Sequence, residues 1–391
     1  MELDFSPEQK KFRDDLRDYF SQMMTPELVS ELREDVEGGG PLFRQAMKDM
    51  GRDGLLGVGW PEEYGGQGRT PMEQFIFADE VQSAGFPIPF LTLNTVGPTI
   101  MQYGTEEQRA EILPKILAGE IFFAIGYSEP SAGTDLASLR TSGIREGDEW
   151  VINGQKMWTS LAGYADYVWL AVRTDSEVSK HRGLSMFLVS TKAEGYSRQP
   201  IMTVGGVSTN ATFYDNVRVP HSSLIGGESN GWSLITGQLN HERISLTSVG
   251  PIRRNLRDVI DWARETKVDG ERVIDKSWVR HNLARVFAKV QVVRLMNWRQ
   301  AWAAQEGDPH PAAASAVKVF GSELNIEAYR ALMEVTSARA NIGRDSTGAV
   351  LEGRIESAYR NGLILTFGGG TNEVQRDIIA MAGMGLPHYK S

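Results

Sequence analysis

Apolar positions recur at helical spacing through the first part of the chain. Ser6-Pro7-Glu8-Gln9 supplies an N-cap hydroxyl, a proline at the first helical position and a glutamine three residues past the cap. Phe12, Leu16 and Phe20 then follow four apart, which predicts an amphipathic helix. A second helix is expected from Leu42 to Met50, stopped by Gly51, and a third from Pro71 as far as Gly85. Between these lies the turn-rich connector Gly59-Trp60-Pro61-Glu62-Glu63-Tyr64-Gly65-Gly66-Gln67-Gly68. Thr105-Glu106-Glu107-Gln108 repeats the capping pattern and opens another helix, ending near Gly119.

From about Ile121 the period changes to alternation, and β-branched and aromatic residues dominate. Asn153-Gly154 stands between two strand-like runs in Trp150 to Trp158 and reads as a hairpin turn. Further strands are expected at 167–172, 184–189 and 211–219. No strand alternates regularly with a crossover helix, which disfavours a Rossmann unit. Helices resume near Asn230 and continue almost to the end. The pattern predicts an α+β protein with an N-terminal helical domain over 1–120, a central β-domain over 121–228 and a C-terminal helical domain over 229–391.

Length and composition change this picture little. The chain has 391 residues, 41% hydrophobic and 23% charged, enough for a large core. Its net charge of −9 opposes a nucleic-acid partner, since phosphate binding needs a concentrated basic surface. There is no cysteine, hence no disulfide or thiolate metal site. The acidic Met1-Glu2-Leu3-Asp4 is unlike a signal peptide, and no apolar run approaches membrane-spanning length, so a cytoplasmic protein without membrane association is expected.

Candidate chemistry gathers in a few places. The run Phe123-Ala-Ile-Gly-Tyr-Ser-Glu-Pro-Ser-Ala-Gly-Thr-Asp135 leaves a strand for small polar residues, suiting either a ligand-cradling loop or a plain surface turn. After Asn230-Gly231, the residues Ile235, Leu239, Leu246 and Val249 form one apolar stripe that Glu242 interrupts. A carboxylate there is either a desolvated proton acceptor or a partner for Arg243; spacing alone leaves both open. Trp158 reads equally as core packing, and Gly368-Gly369-Gly370-Thr371 as a flexible turn without a P-loop ending. Trp298 and Trp302, four apart, read as helix packing residues. No histidine or carboxylate cluster has metal-ligand spacing, and no Gly-x-Ser-x-Gly elbow occurs.

Several of these segments, in this order, resemble the signatures of acyl-CoA dehydrogenases, and the resemblance extends over nearly the whole chain. It implies FAD as cofactor. Tyr127, Ser128, Gly133 and Thr134 match positions lining the flavin ring and pyrophosphate; Trp158-Thr159-Ser160 match those covering the flavin and approaching its N5 edge; Thr371, Asn372 and Glu373 match those contacting the rest of the cofactor. Gln238-Leu-Asn-His-Glu-Arg-Ile244 is similar to the helix that carries the catalytic base in the isovaleryl-CoA and long-chain branch. The resemblance therefore implies that Glu242 removes the α-proton of an acyl-CoA as hydride passes from the β-carbon to flavin N5, giving a trans-2-enoyl-CoA. Arg243 matches an arginine shaping the substrate site. In the other branch the base is a glutamate on a C-terminal loop, and Gly369 stands at its position; the Gly369 N–H is still able to donate to the thioester carbonyl. Electrons would then pass to an electron-transfer flavoprotein.

Trp60-Pro61, Ile125 to Pro130, Leu239 to Arg243 and Phe367 to Gln375 are most similar to actinobacterial members acting on steroid side-chain CoA thioesters in cholesterol breakdown. Two family segments that reach a neighbouring subunit's FAD, Arg-x-x-Phe-Gly and Phe-Gly-Gly-x-Gly, have no match in Arg264 to Glu271 or Ala340 to Gly348. The resemblance thus implies a related partner subunit in an α2β2 heterotetramer. A catalytically silent subunit and a DNA-binding relative are the alternatives; Glu242 with Trp158 and Ser160 opposes the first, and the acidic balance opposes the second.

Overall fold

The computed structural model describes residues 4–35, 37–237, 248–308, 310–344 and 346–387. The chain opens with helices α1 (Pro7–Met23), α2 (Pro26–Glu34), α3 (Pro41–Arg52) and α4 (Pro71–Ala84), then α5 (Gly97–Tyr103) and α6 (Glu106–Leu117). The caps read from sequence at Ser6 and Thr105 are in place, each forming a reciprocal capping box with the residue three positions on, and Thr70 forms a third that passed unread in the sequence. Gly85, at φ 89°, ends α4, whereas α3 runs through Gly51 to Arg52. Gly51 is a packing contact instead of a stop, because a Cβ there would meet the Leu117 carbonyl oxygen at 2.5 Å.

Helix α4 is the axis of the helical region. From Phe75 to Val81 every residue is buried, including Asp79 and Glu80. Phe20 of α1 packs its ring on Phe77. The two buried carboxylates are paired, Glu80 with Arg17 at 2.9 Å and Asp79 with Arg253 at 2.9 Å. Buried charge is tolerable only with such partners; the first pair ties α1 to α4, and the second fixes the first and last helical regions against each other.

The β-region is an eight-stranded sheet of β1 (Phe123–Gly126), β2 (Ser142–Glu146), β3 (Glu149–Lys156), β4 (Tyr167–Arg173), β5 (Leu184–Ser190), β6 (Tyr196–Met202), β7 (Ser208–Pro220) and β8 (Leu224–Ile225), in the order β6-β7-β3-β2-β4-β5-β8, with β1 parallel to β4. Strand β4 is apolar from Val168 to Val172 because both faces of that stretch are buried. Val168, Leu170 and Val172 fill the sheet's own core, while Trp169 and Ala171 face the N-terminal helices. Asn153-Gly154 is not the hairpin turn expected from sequence. It is a bulge inside continuous β3, and the β2–β3 hairpin turns at Gly147-Asp148. Asn153 is engaged by Asn216 of β7, at 2.8 and 3.2 Å, and a Cβ on Gly154 would meet Thr141 Oγ1 at 2.5 Å.

A helical segment, α7, covers 231–237, and α8 (Gly250–Glu265), α9 (Ser277–Gln305), α10 (Pro311–Thr336), α11 (Arg354–Gly362) and α12 (Asn372–Ile378) follow. Ile235 and Val249 of the expected apolar stripe are buried, but Val249 lies outside a helix as the residue before α8. Trp298 stacks on Phe5 at 4.6 Å as a packing residue should, while Trp302 is 55% exposed and does not. Among the described residues no helix is long and apolar enough to cross a membrane.

Candidate functional site

Strand β1 delivers the first candidate loop. Its opening N–H, from Phe123, donates to buried Thr92 Oγ1 at 3.1 Å, and Gly126 lets β1 lie close to β4, since a Cβ there would meet Leu170 at 2.7 Å. Tyr127 is buried, its hydroxyl accepting from Trp169 Nε1 at 3.0 Å. Reciprocal backbone bonds of 2.8 and 3.1 Å between Glu129 and Ala132 close the turn that follows. Gly133 and Thr134 come out exposed, and nothing lies within 4 Å of where a Gly133 Cβ would stand.

The second candidate segment is joined to the first. The Met157 N–H donates to Ser128 O at 2.8 Å, and the next residue, Trp158, adopts φ 63° with 57% of its surface exposed. A tryptophan in the left-handed region costs roughly 1–3 kcal/mol and persists only where its surroundings impose it. Core packing, one of the two readings open from sequence, is excluded for Trp158. Thr159 departs from expectation in the opposite sense. It is fully buried, its hydroxyl 3.3 Å from Thr212 Oγ1 and its N–H and C=O both bonded to Asn210, so it serves the sheet and leaves no polar atom for a cofactor. Ser160 is half-buried, its hydroxyl 3.1 Å from Thr209 Oγ1.

Two residues that carried no role in the sequence reading hold these segments together. Lys156 closes β3 and is fully buried; its ammonium donates to Tyr127 O at 3.1 Å and Glu129 Oε1 at 2.9 Å. The Glu129 carboxylate also accepts from the Arg140 and Thr141 N–H groups at 2.7 and 2.8 Å. Burial pushes the Glu129 carboxyl up, but the Lys156 charge and the hydrogen bonds outweigh it and hold the group below its usual range. Burial likewise pushes the Lys156 ammonium down, to about 8, against the pull of Glu129. A lysine within an alternating strand pattern gives no sequence sign of facing inward, which is why the pair was missed.

Glu129→Ala is therefore expected to leave a buried ammonium unpaired, at a cost of about 3–5 kcal/mol, read as a fall in melting temperature. The pH response separates local from global effects. The folded-state pKa of Lys156, about 8, is below its unfolded value, so between those pH values the unfolded chain holds the extra proton and this group's contribution to stability rises with pH. Loss of charge above pH 8 weakens the grip on the loop all the same. Cofactor retention is thus expected to fall through that range without unfolding, and fluorescence of released flavin against far-UV circular dichroism checks it.

The third candidate segment is the C-terminal loop. Gly369 and Gly370 sit at φ 67° and 93°, and Thr371 caps α12 by accepting from Val374 N at 3.3 Å. Glu373 is exposed, but the Asn372 side chain turns inward, accepting from Lys318 at 2.8 Å and donating to Ser322 Oγ at 3.0 Å. Glu242 and Arg243 lie outside the described residues. The two segments lacking the expected cross-subunit signatures have other uses. Arg264 to Glu271 ends α8 and enters an exposed hairpin, Lys267–Val268 with Glu271–Arg272, turning at Asp269-Gly270. Segment 340–352 is tied back to α2 through Arg33 with Glu352 and Arg344 Nη1 to Arg33 O at 3.4 Å.

The exposed Trp158 face, the Ser128 hydroxyl, without a partner among the described residues, and the open approach to Gly133 and Thr134 suit a large planar cofactor with a polar tail. Comparison with known proteins agrees. The N-terminal, middle and C-terminal domain models of acyl-CoA dehydrogenase match residues 6–120, 124–217 and 229–384. Acyl-CoA dehydrogenase FadE26 of Mycobacterium tuberculosis is 55% identical, covering 99% of both chains, and FadE29 of the same organism 45% identical, also over 99% of both. Among solved structures, the ChsE4-ChsE5 complex from Mycobacterium tuberculosis superposes with a TM-score of 0.93 at 55% identity, and the Tcur3481-Tcur3483 steroid ACAD with 0.93 at 49%, each over 100% of both chains. The chain belongs to the acyl-CoA dehydrogenase family and is an FAD-dependent oxidoreductase.

Proposed function

We propose that this chain dehydrogenates the CoA thioester of a steroid side chain to its trans-2-enoyl-CoA, as a subunit of an α2β2 complex with a related chain, in the cytoplasm and with an electron-transfer flavoprotein as acceptor. The observation that carries the catalytic part is Trp158, exposed and strained beside a β1 loop that Met157 bonds and a fully buried lysine grips. A structural subunit without a cofactor gains nothing from that strain. The steroid and two-chain parts draw support from the names of the similar structures, one a steroid ACAD and both pairs of distinct chains.

Tyr127, Ser128, Gly133, Thr134, Trp158 and Ser160 would hold the flavin side, with Thr371 and Glu373 towards the rest of the cofactor. Bound FAD supplies the hydride acceptor. Glu242 would take the α-proton, a carboxylate becoming a stronger base once bound substrate has excluded water. The Gly369 N–H donates to the thioester carbonyl oxygen as negative charge builds there. Gly369 leaves that amide available: it donates to no backbone carbonyl among the described residues. Arg243 shapes the substrate side.

The test is turnover by the purified complex against straight-chain, branched and steroid side-chain acyl-CoAs, with product identification by mass spectrometry. A product two hydrogens lighter, formed fastest from the steroid thioester, is expected. Preference for straight-chain substrates would overturn the substrate assignment.

A further inference from the structure

Two lysines are buried among the described residues, Lys156 and Lys318. The first grips the loop after β1; the second, on α10, grips the C-terminal loop in the same manner. Lys318 Nζ donates to Gly370 O at 2.7 Å and to Asn372 Oδ1 at 2.8 Å, and Ser322 braces Asn372 from one turn further along α10. A desolvated ammonium is expensive unless its protons are taken up by good acceptors. Here it is spent on a stretch where two successive glycines occupy the left-handed region, the kind of backbone that does not stay in one place unaided.

We propose that Lys318 is a positioning residue for the dehydrogenation: through Gly370 O and the Asn372 side chain it sets where the Gly369 N–H meets the thioester carbonyl. This rests on the role given to Gly369 above. The ammonium acts by position. It fixes the Gly370–Thr371 peptide and the Asn372 side chain, and so anchors the left-handed pair Gly369-Gly370 from its C-terminal side; a misplacement of about 1 Å at a reacting group costs on the order of a hundredfold in rate.

The experiment uses the co-expressed complex carrying Lys318→Met, which keeps the length of the stem and removes the charge. Three quantities are read: FAD per complex, kcat against KM, and the long-wavelength charge-transfer absorbance formed with a 3-thia-acyl-CoA. That analogue is not dehydrogenated and gives the band only when its α-proton is removed under a polarised carbonyl. The expected result is unchanged FAD, kcat lower by about ten- to a hundredfold, KM little altered and a weakened band. Absence of the band in the unmodified complex would sink the reading of Gly369 and Glu242. A normal unmodified band with an unaltered Lys318→Met band and kcat would sink the Lys318 proposal alone. Loss of FAD would overturn it too, by placing the lysine in cofactor retention. If Lys318→Met does not fold, Ser322→Ala, which removes only the brace on Asn372, decides by the same band and kcat.

Discussion

Replacing Glu242 with Gln is expected to lower turnover by about two to four orders of magnitude, the usual consequence of losing one general base, while FAD stays bound. The reason is that nothing else in reach of the substrate supplies a carboxylate by the family's other route. The C-terminal loop has Gly369 where that glutamate would be, at φ 67°. The variant should also fail to reduce its flavin on anaerobic mixing with substrate, which separates lost chemistry from lost electron transfer. Near-full activity would remove Glu242 from the mechanism. Adding Gly369→Glu to the variant should restore only part of the rate, because a side chain at that backbone angle costs roughly 1–2 kcal/mol.

Expression of this chain alone is expected to give protein that is poorly soluble or depleted of FAD, and co-expression with its partner to give a yellow, active complex. A flavin gripped by two chains needs what each neighbour offers, and here both offering segments are used otherwise: one as an exposed hairpin ending at Arg272, the other bound to α2 of its own chain. A partner carrying Arg-x-x-Phe-Gly and Phe-Gly-Gly-x-Gly would supply them without needing a base of its own. Flavin absorbance per protein after gel filtration, with and without the partner, measures the effect.

The sequence made the order of elements readable because its caps are strong local signals: Ser6 and Thr105 each satisfy their own helix start. It misled at Asn153-Gly154, where the local turn preference is real but Asn216 and Thr141, distant in sequence, claim those residues for a bulge. Strand β6 passed unread because its side chains are largely exposed and alternate weakly. At the site, small exposed residues such as Gly133 and Thr134 were visible through resemblance, yet the residues that hold them were not. Glu129, Lys156 and Lys318 look like ordinary surface charges until the fold buries them. Thr159 and Asn372 show the converse: they belong to matched segments, but packing engages their side chains within the protein.

This chain is expected to provide one half of a flavin site, with the base, and a different chain to complete it. Counting FAD in the purified complex tests that claim most directly, by native mass spectrometry before and after mild denaturation. The expected result is an α2β2 assembly holding two FAD. A stable, fully active homotetramer of this chain with one FAD per subunit would contradict it.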